Sequence, residues 1–277
     1  AHLLKAIVIY LKSMPLNSQY SVLAFSGGMD STSLLLNLLK NNQFVYAVSF
    51  NYGQKHVIEI EHASRNIDYL RGNGFKDMIV HKVFDLSDAF KNFDSSITDA
   101  DQSIPEGHYE SKMMKSTFVP NRNAIFSSFV YGFSLSIAKK LSKKVSISIG
   151  AHSGDHEIYP DCRLDFFKQL FHAFEIGNWD SDKIDLYLPY IDMDKKDILL
   201  DAQNSIDKLG LDFDTIFKNT ITSYNPDKNG LSSGKSGSDI ERILAFNKIN
   251  KKDPIGYQDS WENVVEHALE VEREFNK

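Results

Sequence analysis

Cysteine is nearly missing from this chain: Cys162 stands alone among 277 residues. No disulfide can close within it, and a reducing compartment is the simplest setting. Long uncharged apolar runs and a signal-peptide pattern are missing too, so the sequence reads as a cytoplasmic protein with no membrane partner. Positive charge is in deficit. The 31 Lys and Arg against 37 Asp and Glu leave a formal net charge of -6, whereas a protein that grips long phosphate backbones needs a basic face. No nucleic acid partner is expected, and a small-molecule substrate is favoured. No internal repeat stands out, and the one biased tract is a Gly/Ser-rich patch from Asn229 to Ser238. What remains is an ordinary globular composition, 42% hydrophobic and 25% charged, long enough for one large domain or a domain with an appendage.

The stretch Ser26-Gly27-Gly28-Met29-Asp30-Ser31 organises the reading. It follows the apolar run Val22-Leu23-Ala24-Phe25 and opens into a segment where Leu34, Leu35, Leu38 and Leu39 share one helical face. The context is strand, tight loop, helix. Gly27 and Gly28 let successive backbone N–H groups point at a phosphate, Ser26 and Ser31 add hydroxyls, and the helix start adds partial positive charge. No Gly-Lys-Ser/Thr follows, so the loop is not a Walker A.

Along the chain, Leu3 to Leu11 predicts a helix outside the sheet, and Phe44 to Phe50 a second strand with Asn51-Tyr52-Gly53-Gln54 as its exit. Ile60, Ala63, Ile67 and Leu70 mark a helix, and Met78 to Val83 a third strand. Strands alternating with helices imply a parallel α/β sheet that binds ligands beyond the carboxyl ends of its strands. Patterning stops from Ser87 to Phe118, the length of a functional loop. The ladder Ile125, Phe129, Phe133, Ile137 and Leu141 predicts the buried face of a long helix, which puts Arg122 and Asn123 at its start. Val145 to Ile149 predicts another strand, Leu164, Phe167, Phe171 and Phe174 a helix, and Leu186 to Ile191 an extended run. Asp194 is a candidate cap for a helix ending at Gly210, and Trp261, Val264, Val265, Ala268 and Leu269 mark the last helix.

The loop Ser26 to Ser31 resembles the pyrophosphate loop of the N-type ATP pyrophosphatases, whose members activate an oxygen atom with AMP. Four later motifs resemble one family among them, the 7-cyano-7-deazaguanine synthases of queuosine biosynthesis. They are Ser49-Phe50-Asn51-Tyr52-Gly53-Gln54-Lys55-His56, Gly107-His108-Tyr109-Glu110, Val119-Pro120-Asn121-Arg122-Asn123 and Tyr159-Pro160-Asp161-Cys162-Arg163. The resemblance runs from about Ser21 to Tyr257. It implies an adenine nucleotide alpha hydrolase-like, Rossmann-like sheet with helices on both faces over residues 1–215, and a small helical appendage over residues 216–277. It also implies ATP and Mg2+ as cofactors, 7-carboxy-7-deazaguanine and ammonia as substrates, and a homodimer. Ser26, Gly27, Gly28, Met29, Asp30 and Ser31, with Phe50, Tyr52 and Gln54, would hold the nucleotide. Asp30, Ser31, His56 and Arg122 would act in catalysis, and Arg122, Asn123, Asp155, Tyr159, Asp161 and Arg163 would bind the acid.

The pattern breaks near the end. Where the family carries four zinc-binding cysteines, this chain has Ser223, Ser233, Ser236 and Asp239. Serine hydroxyls do not ionise in place of thiolates, so zinc is not expected, and hydrogen bonds among these four side chains are expected to close the loop instead. Other readings stay open at this stage: transfer of an activated deazaguanine carboxylate to an amine on a protein or other acceptor, or a non-catalytic nucleotide-binding subunit. Cys162 reads either as a nucleophile beside Arg163 or as a small packing residue, and His152, His156 and Asp155 as possible ordinary loop residues.

Overall fold

The computed structural model describes residues 18–53, 58–91, 93, 107–108, 118–156, 159–220 and 230–277. The helix expected at Leu3 to Leu11, together with Gln54, His56 and Ser223, lies outside them. Five strands form one all-parallel sheet: β1 (Tyr20–Ala24), β2 (Phe44–Asn51), β3 (Ile79–Asp85), β4 (Val145–Ser148) and β5 (Ile184–Tyr187), in the order β3-β2-β1-β4-β5. The α-helices among the described residues are α1 (Met29–Lys40), α2 (Ile58–Leu70), α3 (Ser87–Phe90), α4 (Arg122–Leu141), α5 (Leu164–Gly177), α6 (Lys195–Leu209), α7 (Phe213–Lys218), α8 (Gly237–Lys248) and α9 (Trp261–Phe275), with short 3-10 and π turns between them. Among the described residues no helix is long and apolar enough to cross a membrane.

Side chains on a strand alternate between faces, and the central strands are apolar on both. Leu23, Val45 and Ala47 point into one core with α1, α2, α6, α7 and Phe246 of α8. Val22, Val48, Val145 and Ile147 point into the other, under α4 and α5. The parallel α/β sheet with helices on both faces is therefore as expected. Ile240, Ile243 and Leu244 of α8 form a further small cluster with Val264 and Ala268 of α9.

Two expectations need correction. The ladder Ile125 to Leu141 is only part of the buried face of α4: Ile137 is buried and Ile125, Phe133 and Leu141 pack partly buried against the core, but Phe129 is 43% exposed, and Ser127, Val130, Tyr131, Ser134 and Ala138 are buried beside them. This helix is apolar almost all round, so periodicity alone could not choose its stripe. The sheet takes the side with small residues. Burying Ser134 costs little because its hydroxyl donates to the Val130 carbonyl at 2.7 Å. The displaced rings pack sideways, and Phe126 stacks on Phe50 at 4.2 Å. The extended run near Leu186 is also shifted, since β5 ends at Tyr187 and turns follow to bury Tyr190 and Ile191.

The C-terminal segment is held by one fully buried ion pair. Arg242 donates to Asp253 through Nε at 2.6 Å and Nη2 at 2.9 Å, and also to Thr220 Oγ1 at 2.7 Å and the Phe217 carbonyl at 3.1 Å. α7, α8 and the chain leading to α9 thus meet at one guanidinium. Removing one partner strands a buried charge, so Asp253→Ala is expected to lower the unfolding free energy by about 3–5 kcal/mol. Arg242→Met with Asp253→Leu should recover at least half of that loss. Urea titration of the three proteins checks it.

Candidate active site

The chain steps outward from β1 to β2 and β3, then returns to the other side of β1 for β4 and β5. Loops leaving β1 and β4 therefore diverge, and a crevice opens between them at the carboxyl ends of the strands. Here it is a cleft of about 300 Å³ lined from both loops.

At one end lies the loop before α1. Gly27 has φ of 82°, a conformation that disfavours any side chain. Gly28 occupies the helix N-cap and offers no side chain to the first-turn N–H groups, which leaves them for an anion. Ser26 Oγ accepts from Gly28 N at 3.2 Å and lies 3.1 Å from Ser31 Oγ, which donates to the Gly28 carbonyl. The loop is set from below by β2 and β3. Ser49 Oγ donates to the Phe25 carbonyl at 2.6 Å and accepts from His81 Nε2 at 2.9 Å. Gly150, leaving β4, packs against the same turn: a Cβ there would sit 3.4 Å from the Asp30 carbonyl group.

Behind the loop is a charge cluster in which Lys195 and His152 are buried and Asp30, Asp155 and Glu241 are partly buried. Lys195 Nζ lies 2.9 Å from Asp30 Oδ2, 3.1 Å from Glu241 Oε2 and 3.0 Å from His152 Nε2. His152 Nδ1 accepts from Gly154 N, and Nε2 also lies 3.5 Å from Asp155 Oδ2. Ser153 donates from both N and Oγ to the Met193 carbonyl, which ties the β4 loop to the chain entering α6. Asp194 caps α6 by accepting from Asp197 N, so Lys195 occupies its first position. Burial alone would push the Asp30 carboxyl up, but the Lys195 ammonium, with His152 and Arg242, outweighs it and holds the group below the usual carboxylate range. Burial would likewise depress Lys195, but Asp30, Glu241 and Asp155 raise it well above its ordinary value. Asp30 Oδ1 is buried with no hydrogen-bond partner.

The other end of the cleft is aromatic. Phe50, Tyr52 and Phe126 form a wall suited to a planar heterocycle, with the Arg122 guanidinium 5.8 Å from the Tyr52 ring centre. The cleft gathers Ser26, Gly28, Met29, Asp30, Ser31, Phe50, Tyr52, Arg122, Asn123, Asp155 and Tyr159 from the residues singled out above. It does not include Asp161 or Arg163. Asp161 is buried behind the lining, where Oδ2 accepts from Asn123 N at 3.3 Å, and Arg163 is exposed and donates from Nε to the His156 carbonyl. Cys162 is packed: Asn123 Nδ2 lies 3.3 Å from its sulfur, and burial with Asp155 and Asp161 pushes the thiol well up, against a nucleophilic role.

Lys195 and Glu241 are the site residues that the motifs missed, and His152 is more than a loop residue. One signal for Lys195 was available: a lysine directly after a helix cap sits where the helix dipole disfavours a cation and so calls for nearby carboxylates. Of the four positions expected to close the serine-rich turn, Ser223 lies outside the described residues. Ser232, Ser233 and Ser236 Oγ accept from the N–H groups of Gly234, Lys235 and Asp239, and the Ser232 and Ser236 side chains also face the Asp239 carboxyl, so the Ser236–Asp239 part of the expected network is present together with backbone bonds. The Asp239 carboxyl is fully buried and pushed up by that burial, which neighbouring Ser232 and Ser236 partly offset.

A family model described as "Queuosine biosynthesis protein QueC" matches residues 20–250 of the chain. The chain belongs to that family. It is 42% identical over 238 residues to the 7-cyano-7-deazaguanine synthase 1 of Colwellia psychrerythraea, which covers 86% of this chain and 98% of the relative. It is 38% identical over 240 residues to the 7-cyano-7-deazaguanine synthase of Pseudoalteromonas atlantica, covering 87% and 99%. The synthase of Caldicellulosiruptor saccharolyticus is 36% identical over 86% of this chain and 95% of its own. The family's matched region spans both the phosphate loop and the buried Lys195 cluster.

Replacing Lys195 by Met would leave the partly buried Asp30 and Glu241 without their cation. The expected loss of stability is about 1.5–3 kcal/mol at neutral pH. In the native protein Asp30 is depressed, so it contributes stability above its unfolded range that is lost as pH falls through the folded value. Without the ammonium, burial raises the carboxyl instead, and protonation relieves it in acid. The difference between Lys195→Met and the native protein is therefore largest at neutral pH and shrinks towards pH 4, as denaturant titration across that range will test.

Proposed function

We propose that this protein makes 7-cyano-7-deazaguanine from 7-carboxy-7-deazaguanine, ammonia and ATP. The observation that carries the reading is the Asp30–Lys195 pair behind an uncapped helix start, at one end of a cleft whose other end is aromatic and cationic. A carboxylate is a poor acyl donor, so its oxygen first attacks the α-phosphorus of ATP to give an acyl-adenylate and pyrophosphate. Ammonia displaces AMP to give the amide. The amide oxygen then attacks the α-phosphorus of a second ATP and displaces pyrophosphate, and loss of AMP and of both amide protons leaves the nitrile.

The protein's part is alignment and charge. Ser26, Ser31 and the first-turn N–H groups of α1 hold the departing pyrophosphate, with Lys195 and the helix dipole offsetting its charge. Phe50, Tyr52 and Phe126 clamp a planar ring, and Arg122 directs the carboxylate. Among the described residues no trio of His, Cys, Asp or Glu side chains is arranged to hold a metal ion. The orphan Asp30 Oδ1 suits Mg2+ bound by one carboxylate and substrate phosphates. Magnesium would supply charge neutralisation to those phosphates.

His56 and Gln54 belong to the reading through their motif, and Asp161 and Arg163 serve it by holding Asn123 and the loop through His156. The segment from about residue 216 is read as an appendage that works without zinc. We read the protein as a cytoplasmic homodimer, a reading that the exposed Phe129 beside Phe84 supports with apolar surface.

Mass spectrometry of purified protein with the acid, Mg2+, ATP and ammonium should show the nitrile, with two AMP for each. Elemental analysis of the same protein should show no stoichiometric zinc. AMP with the deazaguanine attached to a protein or other amine would move the reading to acyl transfer, and no AMP would overturn it.

A further inference from the structure

A second cavity, of about 580 Å³, lies on the far side of the charge cluster. Lys195 lines both spaces. From the cleft side it is bonded to Asp30, and on the other side Glu241 faces it at 3.1 Å, so the partition is a single row of side chains, Asp30–Lys195–Glu241. Gly154 keeps that row thin: a Cβ there would lie 2.5 Å from Glu241 Oε1 and 3.0 Å from the His152 ring.

We propose that the second cavity is the entrance through which ammonia reaches the activated acid, delivered across the Asp30–Lys195–Glu241 partition. The proposal rests on the synthase reading above. Three facts favour it. With nucleotide and acid in the cleft, both its ends are occupied, and the third reactant needs another face of the site. The cavity walls set Lys195, Lys196 and Lys248 against Asp194, Glu241 and Glu272 between apolar Ile240, Leu244, Ala245 and Phe275, a charge-balanced lining that gives no preference to an anionic nucleotide or to the acid. Finally, the nucleophile is neutral ammonia. The row sets two carboxylates against one ammonium, so its net negative charge gathers ammonium ion at the partition, from which the free base passes once a carboxylate has taken its proton.

The test obstructs the cavity without touching the cleft. Lys248 and Asn276 are exposed residues of its wall, and Lys140 is an exposed residue of α4 away from it. Lys248→Trp and Asn276→Trp should each raise KM for ammonium about ten-fold or more while ATP–pyrophosphate exchange with the acid, measured without ammonia, stays within about two-fold of the native protein. Lys140→Trp should change neither. An unchanged KM for ammonium in both cavity variants, or equal losses in exchange and in ammonium use, would overturn the port. Absence of exchange in the native protein would instead overturn the acyl-adenylate reading, and the port with it.

Discussion

A buried ammonium and a partly buried carboxylate lie side by side at the first turn of α1, and four segments of the chain meet at that pair. Neither charge can leave water alone without a large penalty, so each requires the other and further partners. Asp30 comes from the phosphate loop, Lys195 from the start of α6, His152 from the exit of β4 and Glu241 from α8. The cluster thus does for the site what the hydrophobic core does for the sheet. It fixes the relative positions of elements far apart in sequence, within hydrogen-bonding distance of a helix start built to receive anions.

The sheet explains why this cluster faces a cleft rather than the interior. With the order β3-β2-β1-β4-β5, the loops after β1 and β4 separate as they leave the sheet. The β1 loop turns into α1, and the β4 loop turns through His152 towards Asp155. The close approach of Gly150 to the Asp30 backbone keeps the two in contact at their base. Aromatic residues from β2 and α4 then close the opposite side. A phosphate end and a planar-ring end result from topology plus a handful of side chains.

Much of this was legible in the sequence. The apolar strands, the glycine loop and the Asp194 cap have local causes, namely two-residue alternation, positive φ and side-chain capping, and they fall where the pattern puts them. Arg122 and Asn123 are at a helix start as read. What stayed hidden depends on tertiary choice. The stripe of α4 that meets the core includes small Ser127 and Ser134 while Phe129 faces out, a choice that a helix with apolar residues on most sides does not reveal. Lys195 and Glu241 belong to no short motif and are joined only when α6 and α8 pack together. Asp161 sits within a motif yet faces Asn123 rather than the cleft, because a motif gives residue types and spacing but not the direction of a side chain. The serines that replace the zinc cysteines were read as a network of side chains; Ser236 does face Asp239, and the backbone N–H groups of Lys235 and Asp239 bind the Ser233 and Ser236 oxygens as well, because a hydroxyl accepts and donates at once.

The central claim is that the Asp30–Lys195 pair holds the phosphate loop in the form that accepts a nucleotide. Calorimetric titration of magnesium ATP into the native protein and into Lys195→Met, with circular dichroism to confirm that both are folded, tests it most directly. The account predicts binding weaker by about ten-fold or more in the variant, a loss of ~1.4 kcal/mol or greater. Affinity equal to that of the native protein would contradict it.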